Sequence, residues 1–416
     1  MDASNRKDLK LVPIVVRYFN PNSGMHVKML DFKSVAGETS EILTNHLCSV
    51  LLQNDLNNKV VGFCGDNCNT NFGGVKRAGQ KNIFHRLKNS LGREINGIGC
   101  GAHIVHNCVQ TVVDSLPIYI EALLVKIDKY LHIYTVRVTK VKEFCEYAEL
   151  QYRKLIQYGN TRFLSMMPTL ERILQIFEGL KAFFLDQEMC PSTIKNLFID
   201  STGELYLSFV HGQLALFNKA ILGMEKDNTT AFEVAEAHKA FKRNLTERKA
   251  SNFIPMGAKN IYRNLDEQIR NSVKEEFDGF YERCIAYLDL WENSFGNAEQ
   301  FSWVNLTKTN AVDWVNAETS AEIINSSLLD VPDMKINNDQ LFDEVVLAKK
   351  YLQSNWEQWK QEETARDVII SSEEKWLRLF GHFKENHVAA PNLIKIVENP
   401  FCLPGTSAPV ERIFSF

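Results

Sequence analysis

The sequence predicts a two-part protein, an α/β core followed by an all-helical body. Three observations predict it. The first hundred residues hold short runs rich in Val, Ile and Phe, bounded by turn residues, as strands are. From about residue 101 onward strand signals nearly vanish. The segments beyond carry apolar residues at helical spacing instead.

The elements follow in chain order. Residues 9–19 (LKLVPIVVRYF) are β-branched and read as a strand, with Pro13 placing it near an edge or a bulge. Asn-Pro-Asn-Ser-Gly at 20–24 is a turn cluster. Residues 26–35 alternate apolar and polar and read as the returning hairpin strand. Thr39 or Ser40 then caps a helix whose stripe is Ile42, Leu43, Leu47, Val50 and Leu51. Residues 59–64 (KVVGFC) form a short strand apolar enough to be buried on both faces, and 95–100 a weaker one. Helical patterning covers 117–155, 161–187, 204–222, 230–248, 260–291 and 340–385. The Asn/Ser-rich stretch 292–338 is expected to be a long loop. The expected domains are a core over 1–116, a helical insertion over 117–385 and a return segment over 386–416.

Composition bounds the class. The chain has 416 residues, 45% apolar and 24% charged, enough for two or three domains with a substantial core. No apolar run of membrane-spanning length occurs, and the polar N-terminus is not a signal peptide. Nine cysteines without a disulfide-type spacing read as reduced thiols of an intracellular protein, not a secreted one. Net charge is −4, but it is unevenly spread. Residues 76–93 carry six Lys/Arg and no acid, whereas 313–344 carry eight acids and one Lys. The basic run is either a phosphate-binding surface or an ordinary solvated helix face.

Several motifs stand in order along the chain: DASN at 2–5, the strand 9–19, VGFCGDNCNTNFG at 61–73 and IGCGAHIVHNCVQ at 98–110. NTRFLSMMPTLERILQIFEGLKAFF at 160–184 and LPGTSAPVERIFS at 403–415 complete the series. Together they resemble the hAT superfamily of DNA transposases and its domesticated relatives. The resemblance implies an RNase H-like mixed-sheet core interrupted by a large helical insertion domain, with a dimerisation segment beginning at the C-terminal end. It implies a nuclear or nucleo-cytoplasmic protein that binds DNA, self-associates and needs no membrane.

It also implies a site. Asp2, Asp66 and Glu411 match the family's acidic metal ligands. Hard carboxylate oxygens suit Mg²⁺ or Mn²⁺, and two such ions clamp the attacking and leaving oxygens of a phosphodiester. Asp66 follows a strand, with Gly65 giving the backbone room to turn; a structural loop-capping Asp is the plainer alternative. Asp2 has only Met1 before it, so the first strand is expected to lack its N-terminal half. Glu411 lies on a short C-terminal helix with Pro409 in its first turn and Thr406 or Ser407 as cap. Such poorly anchored ligands predict weak or absent strand transfer, and the rival reading is a non-catalytic relative that binds DNA and partners. The Cys100-x-x-His103 pair matches a structural, DNA-proximal feature of the family. A zinc site drawing on Cys100, His103, His106 and Cys108, which Cys64 and Cys68 could join, is disfavoured because Cys108 points away from the two histidines. Arg162 and Phe163 match an Arg–Trp pair near the transposon end, with Phe offering a smaller stacking face. Lys76, Arg77, Lys81 and Arg86 are the expected phosphate contacts.

Overall fold

The computed structural model describes residues 4–6, 9–159, 165–226, 228–328, 331 and 334–415. The protein is mostly helical (66%), with two small sheets among the described residues. The opening order runs β1 (Ser4–Arg6), β2 (Leu9–Asn20), β3 (Gly24–Val35), α1 (Ser40–Gln53) and β4 (Gly62–Gly65). It continues with α2 (Asn69–Phe72), α3 (Ile83–Leu91), β5 (Asn96–Gly99) and α4 (Gly101–Val113). Helices then dominate: α5 (Ile120–His132), α6 (Thr135–Tyr147), α7 (Met166–Gln175), α8 (Phe177–Asp186), α9 (Ser192–Ile199) and α10 (Gly203–Met224). They are followed by α11 (Ala231–Ala250), α12 (Met256–Arg263), α13 (Glu267–Leu290), α14 (Trp314–Ser327) and α15 (Asn338–Arg366). The last are α16 (Ser372–Glu385), α17 (Pro391–Cys402) and α18 (Ala408–Glu411).

The hairpin forms where alternation and turn residues place it. β2 and β3 pair antiparallel from Lys10↔Val35 to Asn20↔Gly24, with a bulge between Ile14 and Val15, one residue past Pro13. Gly24 has φ +83°, and a Cβ there would strike the Glu373 carboxylate, which accepts the Met25 N–H at 2.6 Å. Thr39 is the cap of α1, its Oγ1 accepting the Ile42 N–H at 3.3 Å. β4 and β5 pair in parallel from Gly62↔Asn96 to Gly65↔Gly99.

Three expectations need correcting. First, the strands do not form one mixed sheet among the described residues. β1, β2 and β3 make an antiparallel sheet, and β4 and β5 a separate pair. The described part of β1 spans only Ser4–Arg6 and pairs with Leu9–Leu11, so it does not bridge to β4. Second, 292–338 is not a loop. It contains 3₁₀ turns at Glu292–Phe295 and Ala298–Val304 and the helix α14. Asp313 caps α14 by accepting the Asn316 N–H at 2.9 Å, and Trp303 donates its indole N–H to Ser320 at 2.9 Å. Polar composition hid a stripe of small apolar residues, Ala317, Ala321 and Ile324, that is buried.

Third, the units divide differently from 1–116, 117–385 and 386–416. One unit comprises 1–103, 224–238 and 291–416, and the other 104–223 and 239–290. Residues 291–385 belong with the sheets because aromatic packing ties them there. Phe19 of β2 stacks on Phe401 (5.0 Å between centroids) and meets Phe380 edge-on (6.5 Å). Phe19 joins a core that includes Trp303, Leu341, Leu352, Trp376 and Leu393. A second core in this unit joins Val12 and Ile14 to Leu43, Leu47, Phe63, Phe72 and Ile83. The other unit is all-helical. Its interior holds Phe209 stacked on Phe277 and a buried polar relay, in which Arg248 donates to Gln213, Gln213 to Tyr281, and Tyr281 to the Phe253 carbonyl.

Candidate functional site

The site is built by strand register. β4 and β5 are parallel and end level, at Gly65↔Gly99. The residues that follow, Asp66 and Cys100, therefore leave the sheet at the same end, where side chains from neighbouring parallel strands converge. α4 begins at once, which places His103 near its start. The return segment docks on this end: the Gly101 N–H donates to the Gly405 carbonyl at 3.0 Å, and the Ser407 N–H to Cys100 Sγ at 3.3 Å. One turn of α18 then brings Glu411 beside His103, with Nδ1 and Oε1 3.5 Å apart.

Cys100, His103 and Glu411 each offer a ligand atom, and the three lie within 4.8 Å of one another. Cys100 is fully buried, while His103 and Glu411 are half-buried. Thr406 Oγ1 accepts the Ala408 N–H at 3.2 Å and lies 3.3 Å from Cys100 Sγ, so its own proton is available to the sulfur. The Ser407 hydroxyl donates to Glu411 Oε1 at 2.7 Å and lies 3.5 Å from His103 Nδ1. Of the two expected caps, Ser407 occupies the cap position of α18 without a side-chain cap bond, and Thr406 makes the backbone contact.

The electrostatics favour a charged pair. Burial alone would raise the Cys100 thiol, but the neighbouring His103 and the Ser407 hydrogen bond outweigh it, and the thiol is lowered. Burial alone would lower His103, but Cys100, Glu411 and Asp66 together raise it to about 10. A protonated His103 imidazole therefore sits between the Cys100 sulfur and Glu411. Mixed sulfur, nitrogen and oxygen donors suit a borderline ion such as zinc, whereas Mg²⁺ takes oxygen ligands.

This pair has a pH signature. His103, raised in the fold, contributes stability that is complete below its unfolded value of 6.5 and is lost as pH rises through about 10. Cys100, lowered in the fold, contributes stability that is complete above its unfolded value of 9.0 and is lost as pH falls through its depressed value. The stability difference between the parent and a Cys100→Ser/His103→Gln variant should therefore fall as pH rises from 9.0 to about 10, where the Cys100 contribution is already complete and that of His103 is being lost. Urea unfolding across pH checks it; a pH-independent difference would mean that the pair is neutral.

Asp66 is half-buried just after β4. Its Oδ1 accepts from Asn71 Nδ2 at 2.5 Å and from the Cys68 N–H at 3.5 Å. Gly65 serves this arrangement, since a Cβ there would lie 2.9 Å from Asn71 Nδ2.

Comparison with known proteins gives no match. No family model fits this sequence, and no curated protein or solved structure matches it.

The remaining expected site residues divide into three groups. Asp2, Arg162 and Phe163 lie outside the described residues. Lys76 and Lys81 are exposed in the basic stretch. Arg77 and Arg86, by contrast, are engaged within the fold. Arg77 lies over the Phe72 ring at 4.1 Å, donates to the Asn293 carbonyl at 3.2 Å, and is lowered to about 10 by burial. Arg86 faces Glu41 at 3.7 Å. A charge run read from sequence overcounts the phosphate contacts when some of its members fold back.

Cys108 is buried and its Sγ donates to the Cys284 carbonyl at 3.7 Å. Cys64 and Cys68 are raised to about 12, chiefly by burial, and stay protonated. Pairing Cys100 and His103 with Glu411 was not anticipated. The missed partners, Asn71, Thr406 and Ser407, are small polar residues with no periodic signal. Only their place beside Asp66 and Glu411 could have marked them.

Proposed function

We propose that this chain is a hAT-transposase-like protein on an RNase H-like core, which binds DNA and self-associates. Asp66 and Glu411 would hold a divalent cation, Mg²⁺ or Mn²⁺, for phosphodiester cleavage. One observation carries this reading: Glu411 on α18, from the far end of the sequence, lies 3.5 Å from His103 at the end of the parallel strand pair where Asp66 follows β4. The element order supports it too, with an antiparallel hairpin followed by a helix and parallel strands that alternate with helices. Bound to the two carboxylates, the ion would supply charge neutralisation at a phosphate oxygen. His103, as an imidazolium, would offer a second positive group to the same phosphate.

A second reading, a non-catalytic DNA-binding relative, is favoured by how these acids are engaged. Oxygens of Asp66 and Glu411 already accept from Asn71 and Ser407. A metal would have to compete with those bonds. The two readings separate in an assay of labelled duplex DNA with Mn²⁺, using the parent, Asp66→Asn and Glu411→Gln. Cleavage that needs the metal and falls by at least about 10²-fold in each variant supports the first reading. Salt-sensitive binding without cleavage, equal in all three proteins, supports the second. A chain that neither binds nor cleaves DNA would refute both.

A further inference from the structure

We propose that Cys100, His103 and Glu411 form a binding site for a thiophilic divalent cation, zinc above all, with one coordination position left to water or another exchangeable ligand. This goes beyond the Mg²⁺ or Mn²⁺ reading and does not rest on it, because it needs a sulfur and a nitrogen donor, which those harder ions disfavour.

Three different donors meet within the reach of one ion. Each residue offers one ligand atom, and these atoms lie within 4.8 Å of one another. Bonds of about 2.3 Å to sulfur and about 2.0–2.2 Å to nitrogen and oxygen, at tetrahedral angles, set neighbouring ligand atoms roughly 3.3–3.6 Å apart. His103 Nδ1 and Glu411 Oε1 already have that spacing, at 3.5 Å. The remaining separations need to close by no more than about an ångström around an ion of this size. Cys100 immediately precedes α4 and His103 lies in its first turn, so the chain brings two donors together locally. The third donor, which spacing in the sequence does not supply, comes from α18.

Hydrogen bonds hold these donors in place. The Ser407 N–H donates to Cys100 Sγ at 3.3 Å, and Thr406 Oγ1 lies 3.3 Å from the same sulfur. Asn67 Nδ2 donates to the Cys100 carbonyl at 3.2 Å. The Ser407 hydroxyl donates to Glu411 Oε1 at 2.7 Å, and the carboxylate keeps further lone pairs for an ion. Outer hydrogen bonds of this kind orient metal ligands and tune their basicity. The close approach of the return segment depends on Gly405, where a Cβ would strike Val234 and the Thr230 carbonyl. Cys100 is fully buried, whereas the His103 and Glu411 side chains are 22% and 26% exposed. An ion therefore has an entry path and room for water on that side. Three protein ligands with one open position is the arrangement of zinc sites that exchange a ligand, whereas closed structural sites use four. Glu411 is common to this site and to the Mg²⁺ reading, so bound zinc withholds it from the harder ion.

The test titrates the full, reduced chain with Co²⁺, a zinc surrogate whose visible bands report tetrahedral geometry and whose near-ultraviolet band reports a sulfur ligand. One equivalent is expected to give both bands, and Zn²⁺ to displace it. Cys100→Ser should abolish the sulfur band, and Glu411→Gln should weaken cobalt binding at least about tenfold. Cys68→Ser, at an exposed thiol, should leave both bands in place. X-ray absorption of the zinc-loaded parent chain should show a single sulfur at about 2.3 Å, with nitrogen and oxygen at about 2.0–2.2 Å. Four results would each overturn the proposal: no stoichiometric cobalt binding, a sulfur band that survives Cys100→Ser, a sulfur band lost in Cys68→Ser, or two or more sulfurs per zinc. The X-ray absorption arm needs no protein variant, so a misfolded Cys100→Ser protein leaves the test intact.

Discussion

Replacing Arg17 by Met is expected to destabilise the sheet-containing unit by about 2–4 kcal/mol, the range for removing a charged donor from several carbonyls, two of them part-buried. Arg17 lies on β2, and its guanidinium serves three carbonyls at once. Nε donates to Phe401 O at 2.8 Å, and the terminal nitrogens donate to Thr229 O at 2.7 Å and Asn228 O at 3.1 Å. Burial lowers its pKa, while Cys402, Glu233 and Glu373 raise it. Methionine matches the stem and part of the volume but leaves those carbonyls without their donor. Lysine is expected to recover only part of the loss, because an ammonium cannot reproduce the planar fork. Urea unfolding of the three proteins measures this. A methionine variant within about 0.5 kcal/mol of the parent would mean that water replaces the guanidinium.

The position of Arg17 gives the loss a second consequence. Phe401 is near the end of α17, and the return segment that follows carries Thr406, Ser407 and Glu411 to Cys100 and His103. Loosening that anchor should lower the His103 pKa from about 10 toward its ordinary value, because Glu411 and the sulfur contacts no longer hold position. NMR titration of the His103 ring reads this separately from stability.

Trp376→Ala should be the costliest core substitution, at about 3–5 kcal/mol for a fully buried Trp. Trp376 has no exposed surface. It stacks with Phe380 (5.7 Å between centroids), meets Trp303 edge-on (6.1 Å), and donates its indole N–H to Val304 O at 2.8 Å. Alanine leaves both a cavity and an unpaired carbonyl. Trp376→Phe keeps most of the packing but loses the donor, so about 1–2 kcal/mol is expected for it. Guanidinium denaturation of the two variants separates the packing cost from the hydrogen-bond cost. Equal losses would mean that the indole N–H contributes most of the effect.

Local rules were sufficient for the first hundred residues. Alternation and β-branching marked β2 and β3 within a residue or two, because strand period and turn chemistry are written in consecutive positions. The cap at Thr39 and the short strand ahead of Asp66 were legible for the same reason. So was the helical character of most later segments. The charge run at 76–93 was visible too, but its use was not, since Arg77 and Arg86 bond to groups distant in sequence.

Tertiary structure decided what depends on contacts between distant segments. The amphipathic pattern of α15 and α16 says that one face is buried but not against what, and Phe19, Phe380 and Phe401 assign those helices to the sheets. Cys100, His103 and Glu411 meet because two short parallel strands end level and a return segment docks across them. By itself the sequence determined the period of each segment and the identity of its chemically active side chains. The fold alone determined which of those side chains share a site, because loop closure brings together residues whose separation along the chain carries no local signal.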